Sequence, residues 1–300
     1  MRRYRGSVTD NARWEGFEFR DDDIVICTPA KCGTTWMQTM VATLVFGSVE
    51  LPAPVGHLSP WLDMVTRPTE EVHRRLEAQA HRRFIKTHTP FDGLPWDERV
   101  TYIAVLRHPL DVALSMRDHA STIDQGRIRD LIVGVDPDIM STWGEVDAPE
   151  DDAEYLRWWI EFDEDLWDEG ASGLGEFVRH ALTYWEARNL PNVALFHYDD
   201  MWADLGGQMT RLAGVLGLVV EGERLERFVE AATFESMRAR ARLTVPDSDI
   251  NAWQEPATFF SVGGRRAWSE LLSEQDLRKF QDRLRSLGGI DLATWLAREP

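Results

Sequence analysis

Four short apolar runs punctuate the chain: DIVIC at 23–27, RRFIK at 82–86, VTYIAVL at 100–106 and NVALF at 192–196. Each has the length of a strand, and all but the second have a segment of helical apolar spacing close by. The alternation predicts βαβ units, hence an α/β fold with a mainly parallel sheet flanked by helices. The clearest helix follows the first run, where Trp36, Met37, Met40, Val41, Leu44 and Val45 form an apolar stripe that stops at Gly47. No internal repeat or low-complexity tract interrupts the pattern.

Composition narrows the class. Three hundred residues with 43% hydrophobic content suffice for one α/β core, so a single domain over 1–300 is expected. A net charge of −18 argues against a general nucleic-acid binder, which needs a basic stripe. Basic residues gathered around a pocket would therefore be local and purposeful. Cys27 and Cys32 are too few for a disulfide framework or a zinc site, which points to a reducing, cytoplasmic setting. No stretch approaches the roughly 18 apolar residues of a membrane span, and MRRYRGSVTD carries no apolar run behind its arginines, so no integral membrane contact is expected.

Residues 119–170 stand apart through acidic clusters such as EVDAPEDDAEYLRWWIEFDEDLWDEG. Charge alone reads as a solvated, partly helical insertion. Trp143, Trp158, Trp159 and Trp167 supply more aromatic surface than a solvent loop needs, which reads as a lid. On aromatic content we expect part of this segment, above all around Trp158 and Trp159, to line or cover a ligand pocket; the competing expectation packs them away from it.

The stretch CTPAKCGTTWMQ at 27–38 lies between the first strand and its helix. Backbone N–H groups at a helix start, with the positive end of its dipole, make an anion site. Gly33 permits a close backbone approach, Thr34 and Thr35 add hydroxyls, and Lys31 adds a charge. A nucleoside-triphosphatase loop places its lysine after the last glycine, whereas Lys31 precedes Gly33 by two. The third run also ends in Arg107, where a metal-binding aspartate would be expected. The loop therefore suits a phosphate held without an essential metal. Lys86 and His88 in FIKTHTP leave one face of the second strand's end, and His88 there is a candidate general base. Arg107 and Ser115 in RHPLDVALS suggest a second anion site.

Together and in order, these segments resemble the sulfotransferases that use 3′-phosphoadenosine 5′-phosphosulfate. The family's P-K-S-G-T-T-W loop is similar to PAKCGTTW, with one inserted residue and Cys32 in place of serine; its K-T-H segment is similar to Lys86-Thr87-His88, and its R-x-P-x-D-x-x-x-S segment to Arg107 through Ser115. FHYDDM resembles the segment that brings a tyrosine, here Tyr198, to the nucleotide. TFESMRARA resembles the stretch that meets the adenine through Thr233, Phe234 and Met237. FFSVGGRRAW, with Phe260, Gly263, Gly264, Arg265 and Arg266, resembles the glycine loop on the 3′-phosphate. The likeness covers about residues 20–285 and leans toward the bacterial branch that includes glycolipid sulfotransferases.

The resemblance implies sulfuryl transfer to a hydroxyl of a small-molecule or lipid acceptor, releasing adenosine 3′,5′-bisphosphate, with no metal. It implies that His88 takes the acceptor proton, that Lys31 stabilises the leaving phosphate oxygen and that Lys86 attends a sulfuryl oxygen. Lys31 through Trp36 would cradle the 5′ side (Lys31, Cys32, Gly33, Thr34, Thr35, Trp36), and Arg107 and Ser115 would hold the 3′-phosphate. One departure stands out: Ser261 and Val262 occupy places where the family usually carries basic residues. Either Arg265 and Arg266 reach the phosphate from shifted positions, or that site is weakened. A non-catalytic nucleotide binder and a P-loop kinase remain the alternatives. The dimer segment of the animal branch has no counterpart in SELLSEQDLRKF, which leaves a homodimer open.

Overall fold

The computed structural model describes residues 1–142, 148–162, 172–246, 250, 253, 255–260 and 268–298. The four apolar runs are strands β1 (Ile24–Cys27), β2 (Phe84–Thr87), β3 (Thr101–Leu106) and β4 (Val193–His197). They form one wholly parallel sheet in the order β2-β1-β3-β4, with Cys27 opposite Thr87 and Ala104, and Leu106 opposite His197. The helices, in chain order, are α1 (Thr34–Phe46), α2 (Val55–Leu58), α3 (Thr69–Glu77), α4 (Pro109–Thr122), α5 (Gln125–Val135), α6 (Asp152–Glu161) and α7 (Leu174–Ala187). There follow α8 (Tyr198–Ala203), α9 (Leu205–Val215), α10 (Gly222–Ala231), α11 (Phe234–Ala239), α12 (Ala241–Thr244), α13 (Trp268–Leu271) and α14 (Glu274–Leu296).

The strands read as continuous apolar runs because both faces of the sheet are covered. Ile24, Ile26, Phe84, Ile103, Val105 and Phe196 pack on one side against Met37 and Met40 of α1, Leu212 of α9 and Phe228 of α10. Val25, Cys27, Ile85, Tyr102 and Ala104 pack on the other against Trp14, Leu76 of α3 and Tyr184 of α7. Helix α1 ends where the sequence predicts, at Gly47, whose left-handed φ of 61° lets its N–H return to the carbonyls of Thr43 and Leu44. Among the described residues no helix is long and apolar enough to cross a membrane.

Parallel pairing fixes the location of the chemistry. All four strands finish at one edge, so the residues just beyond Cys27, Thr87, Leu106 and His197 emerge together. The outer edge of β2 is covered in turn by residues 60–62. Lys86 N–H donates to the Pro60 carbonyl (3.0 Å) and Leu62 N–H to the Lys86 carbonyl (3.2 Å), with Trp61 bridging Lys86. This closes an otherwise open sheet edge and carries Trp61 to the same corner.

The opposite edge is fastened by charge. Asp23 and Arg83, just before β1 and β2, are buried and joined by two side-chain hydrogen bonds, one of them Nε to Oδ1 at 2.8 Å. A second oxygen of Asp23 also accepts from the Arg20 N–H at 2.8 Å. Removing one partner leaves an uncompensated buried charge. We expect Asp23→Ala to lower the unfolding free energy in urea by about 3–5 kcal/mol; a loss under about 1 kcal/mol, as for a surface pair, would contradict this role.

Candidate active site

The loop after β1 is shaped by two left-handed residues, Lys31 (φ 62°) and Gly33 (φ 99°). Gly33 stands at the N-cap of α1 without a side-chain cap bond, so the N–H groups of the first turn open toward the loop. A Cβ on Gly33 would meet the Tyr198 ring at 3.0 Å, so only glycine lets that ring lie against the loop. Thr28 and Thr34 join their hydroxyls across the turn. Cys32 faces inward, fully buried against Leu106 and Leu110, and burial pushes its thiol up to about 12.

His88 follows β2 and is buried. Its Nδ1 lies 2.6 Å from the Thr28 carbonyl, which can only accept, so Nδ1 carries the proton and Nε2 keeps its lone pair. Burial, and then the positive charge of Lys86, hold its pKa well below that of an ordinary histidine. His88 therefore stays neutral at physiological pH. Trp61 holds this corner: its ring lies edge-on to His88 at 4.7 Å, while the Lys86 ammonium sits 3.5 Å above its face. Beneath, the fully buried carboxyl of Asp63 accepts from the hydroxyls of Thr87 and Thr89 and fixes the end of β2.

Arg107 leaves β3 and is buried, with its guanidinium 4.1 Å above the Tyr198 ring and Nη1 3.3 Å from the Lys31 carbonyl. Tyr198 opens α8 directly after β4. Trp36 meets Tyr198 edge-on at 5.3 Å and Trp202 at 6.2 Å, and its indole donates to the Ala232 carbonyl at 2.8 Å. Phe234 meets Trp202 at 6.4 Å and Phe260 at 5.9 Å. These rings make an aromatic slot of the kind that takes a flat heterocycle.

One cavity of about 180 Å³ joins these parts. Lys31, Gly33, Thr34, Thr35, Trp36, Lys86, His88, Arg107, Ser115, Tyr198, Phe234, Met237 and Phe260 all line it. Two expected residues do not. The Cys32 thiol is in the core, and the Thr233 hydroxyl caps α11 by accepting from the Ser236 N–H at 3.2 Å, which sets Phe234 rather than facing the cavity. Ser261, Val262, Gly263, Gly264, Arg265 and Arg266 lie outside the described residues. Of their described flanks, Phe259 lines the cavity with its ring 4.9 Å from the Lys31 ammonium, and Trp268 stacks on His108, the residue after Arg107, at 4.6 Å.

The expectation for the acidic segment is corrected. Trp159 is fully buried on α6 against Phe177, and Trp158 packs on Tyr155 and Phe162; neither is among the residues that line the cavity. An amphipathic α6 turns both rings into the helical layer of α4, α7 and α14. Trp143 and Trp167 lie outside the described residues. The segment reaches the cavity instead through His119, Ile123 and Ile128. His119, Trp61, Trp202 and Trp253 also line the cavity and are not among the residues expected from the sequence. Two had a local signal, since His119 and Trp202 lie four residues beyond Ser115 and Tyr198 on the same helical faces. Trp61 and Trp253 arrive by bridges to Lys86 and Ile123, which no local pattern encodes. Among the described residues no group of three or more His, Cys, Asp or Glu is placed to hold a metal ion.

Residues 21–290 match the family described as "Sulfotransferase domain". A glycolipid sulfotransferase of Mycobacterium tuberculosis is 39% identical over 302 residues, covering 97% of this chain and 93% of the relative. Sulfotransferase 1C2 of Oryctolagus cuniculus is 26% identical, covering 88% and 82%. Among solved structures, a mouse sulfotransferase complexed with PAP superposes with a TM-score of 0.67 at 19% identity, covering 96% of this chain and 93% of that one. Retinol dehydratase in complex with androsterone and PAP gives 0.68 at 18% identity, covering 92% and 83%.

The buried histidines make stability depend on acid. Burial lowers the pKa of His88, His119 and His197, and brings His180 to about 3. In the unfolded chain each titrates near 6.5, so acid protonates the unfolded form first. Stability present above pH 6.5 is therefore lost as pH falls toward the folded values. Asp63, raised by burial, works in the opposite sense over the carboxyl range. His180 alone accounts for roughly 2 kcal/mol of loss by pH 5. We expect a lower unfolding midpoint at pH 5 than at pH 7.5, with a smaller drop in His180→Phe; equal drops in the two proteins would contradict the assignment to His180.

Proposed function

The chain belongs to the sulfotransferase family and is a sulfuryl-transfer enzyme, and from that premise we propose that its cavity binds 3′-phosphoadenosine 5′-phosphosulfate and that His88 is the base. One observation carries this reading. In a protein of net charge −18, Lys31, Lys86 and Arg107 converge on one cavity, and no Asp or Glu is among the described residues that line it. Such a set of fixed cations suits a ligand with two separated anionic ends. The aromatic slot of Trp36, Trp202 and Phe234, with Met237, suits the purine between them.

The residues divide accordingly. The first-turn N–H groups of α1, with Thr34, Thr35 and Lys31, would hold the phosphosulfate end. Arg107 and Ser115 would hold the 3′-phosphate, with Arg265 and Arg266 as further candidates because Phe259 and Trp268 dock on either side of their segment. The bound donor supplies the sulfuryl group and leaves as adenosine 3′,5′-bisphosphate. The Nε2 lone pair of His88 takes the proton of the incoming hydroxyl, and the Thr28 carbonyl keeps the ring in that tautomer. The fixed ammonium charges of Lys31 and Lys86 meet the developing negative charge, so the proposed reaction needs no metal to stabilise it.

The acceptor end of the cavity carries Trp61, Met64, Ile123, Ile128, Ile250 and Trp253. This apolar wall, and the likeness to glycolipid sulfotransferases, support a lipid or other amphiphilic acceptor that presents a hydroxyl. We further propose that residues 1–300 act as one catalytic domain in the cytoplasm, with the insertion at 119–170 supplying part of the acceptor wall.

Two tests follow. With labelled donor and a panel of hydroxylated lipids and phenols, His88→Ala should lose about 10²-fold or more in kcat while its affinity for adenosine 3′,5′-bisphosphate stays within about threefold, since His88 meets the acceptor rather than the phosphates. Retained transfer in that variant would remove His88 as the base. Because the His88 pKa is lowered, kcat/KM should hold its plateau as pH falls from 8 to 6.5. A half-maximal rate already at 6.5 would show an unperturbed histidine instead.

A further inference from the structure

His119 is a second histidine in the cavity, on α4, four residues beyond Ser115. Its Nδ1 lies 3.3 Å from Lys31 Nζ. An ammonium has only protons to give, so the imidazole nitrogen facing it must be the acceptor, and the ring proton must reside on Nε2. The tautomer is thus the reverse of that of His88, whose Nδ1 is protonated by its bond to Thr28. Two neutral histidines in one cavity are held in opposite proton states, one by a carbonyl at 2.6 Å and the other by an ammonium at 3.3 Å.

We propose that His119 is the positioning residue for Lys31, fixing the ammonium by a neutral acceptor so that its full positive charge stays available to the bound anion. Holding this lysine matters because its backbone is already in the left-handed region at φ 62°, and the side chain must cross the cavity from a tight turn. A carboxylate in place of His119 would also hold Lys31, but it would cancel the charge on which the anion site depends. The Phe259 ring, 4.9 Å from the ammonium, also attracts the cation and likewise leaves its charge intact. His119 is itself braced. Its ring lies 5.2 Å from Trp253, which is tied down by a bridge to Ile123 and by an indole hydrogen bond to the Pro246 carbonyl at 2.8 Å. Burial and the nearby Lys31 and Lys86 hold the His119 pKa well below the ordinary value, consistent with a neutral acceptor.

The role in catalysis rests on the donor reading above, whereas the proton state of His119 does not, so the two are tested separately. Imidazole ¹⁵N spectra of the ligand-free protein at pH 7.5, assigned with His119→Phe, should show His119 protonated on Nε2 and His88 on Nδ1. In Lys31→Ala, His119 should lose its single tautomer while His88 keeps its own. An Nδ1-protonated His119, or one indifferent to Lys31→Ala, would overturn the proposal whatever the enzyme's activity.

The kinetic arm is a double-mutant cycle. His119→Phe preserves ring volume and should lower kcat about 10-fold, with the acceptor KM changed by less than about threefold. His119→Asn, which retains an acceptor oxygen near the Nδ1 position, should recover most of that loss. In a Lys31→Ala background His119→Phe should cost little more. Additive losses, or an effect confined to the acceptor KM, would make His119 a wall residue and overturn the proposal. Absence of sulfuryl transfer by the unmodified enzyme would instead count against the donor reading, and the spectra would then decide the inference alone.

Discussion

The Tyr198 ring lies against Gly33, and the site is assembled around that contact. A methyl group on Gly33 would press on the ring at 3.0 Å. The opposite demand is made by Arg107, whose guanidinium sits 4.1 Å above the same ring, and Trp36 meets it edge-on. One aromatic ring thereby fixes the distance between the end of β1, the end of β3 and the start of α1. Each is a source of positive charge or of helix N–H groups, so the separation between Lys31 with the start of α1 and Arg107 is set by packing rather than by flexible side chains. A side chain at Gly33 would be strained at φ 99° and would also push these parts apart.

The second organising fact is electrostatic. The protein is strongly acidic, yet the edge of the sheet where its four strands end concentrates Lys31, Lys86 and Arg107 in buried or half-buried positions. Cations are held there by aromatic faces and neutral acceptors: Lys86 by Trp61, Arg107 by Tyr198, Lys31 by Phe259 and His119. Such partners orient a cation and leave its charge available. The buried pair Asp23–Arg83 at the far edge shows the contrasting arrangement, in which a carboxylate takes the charge for structural ends.

Much of this is legible in the sequence, and the division has physical causes. The four strands and α1 are readable because burial on both faces makes the strand runs continuously apolar, while Gly47 stops the helix. The chemistry at strand ends is readable too, because a parallel sheet gathers those ends whatever the loops do. Cys32 and Thr233 show the limit of reading by position alone: both sit within matching segments, but one side chain turns into the core and the other caps a helix. Trp158 and Trp159 show the limit of reading by composition. Aromatic content says that rings are buried and does not say against what; α6 buries them on α7 and not in the cavity. The apolar end of the cavity is legible only in part: the 119–170 segment reaches it through Ile123 and Ile128, whereas Trp61 and Trp253 are delivered by bridges between distant segments.

The proposed donor requires that one cavity hold two separate anionic groups on fixed cations. Calorimetric titration of the purified protein with adenosine 3′,5′-bisphosphate and with 5′-AMP, both in EDTA, tests it most directly. The bisphosphate should bind at least about tenfold more tightly, the equivalent of one charge-assisted contact, and Arg107→Ala should remove most of the difference. Equal affinities for the two nucleotides in the unmodified protein would contradict it.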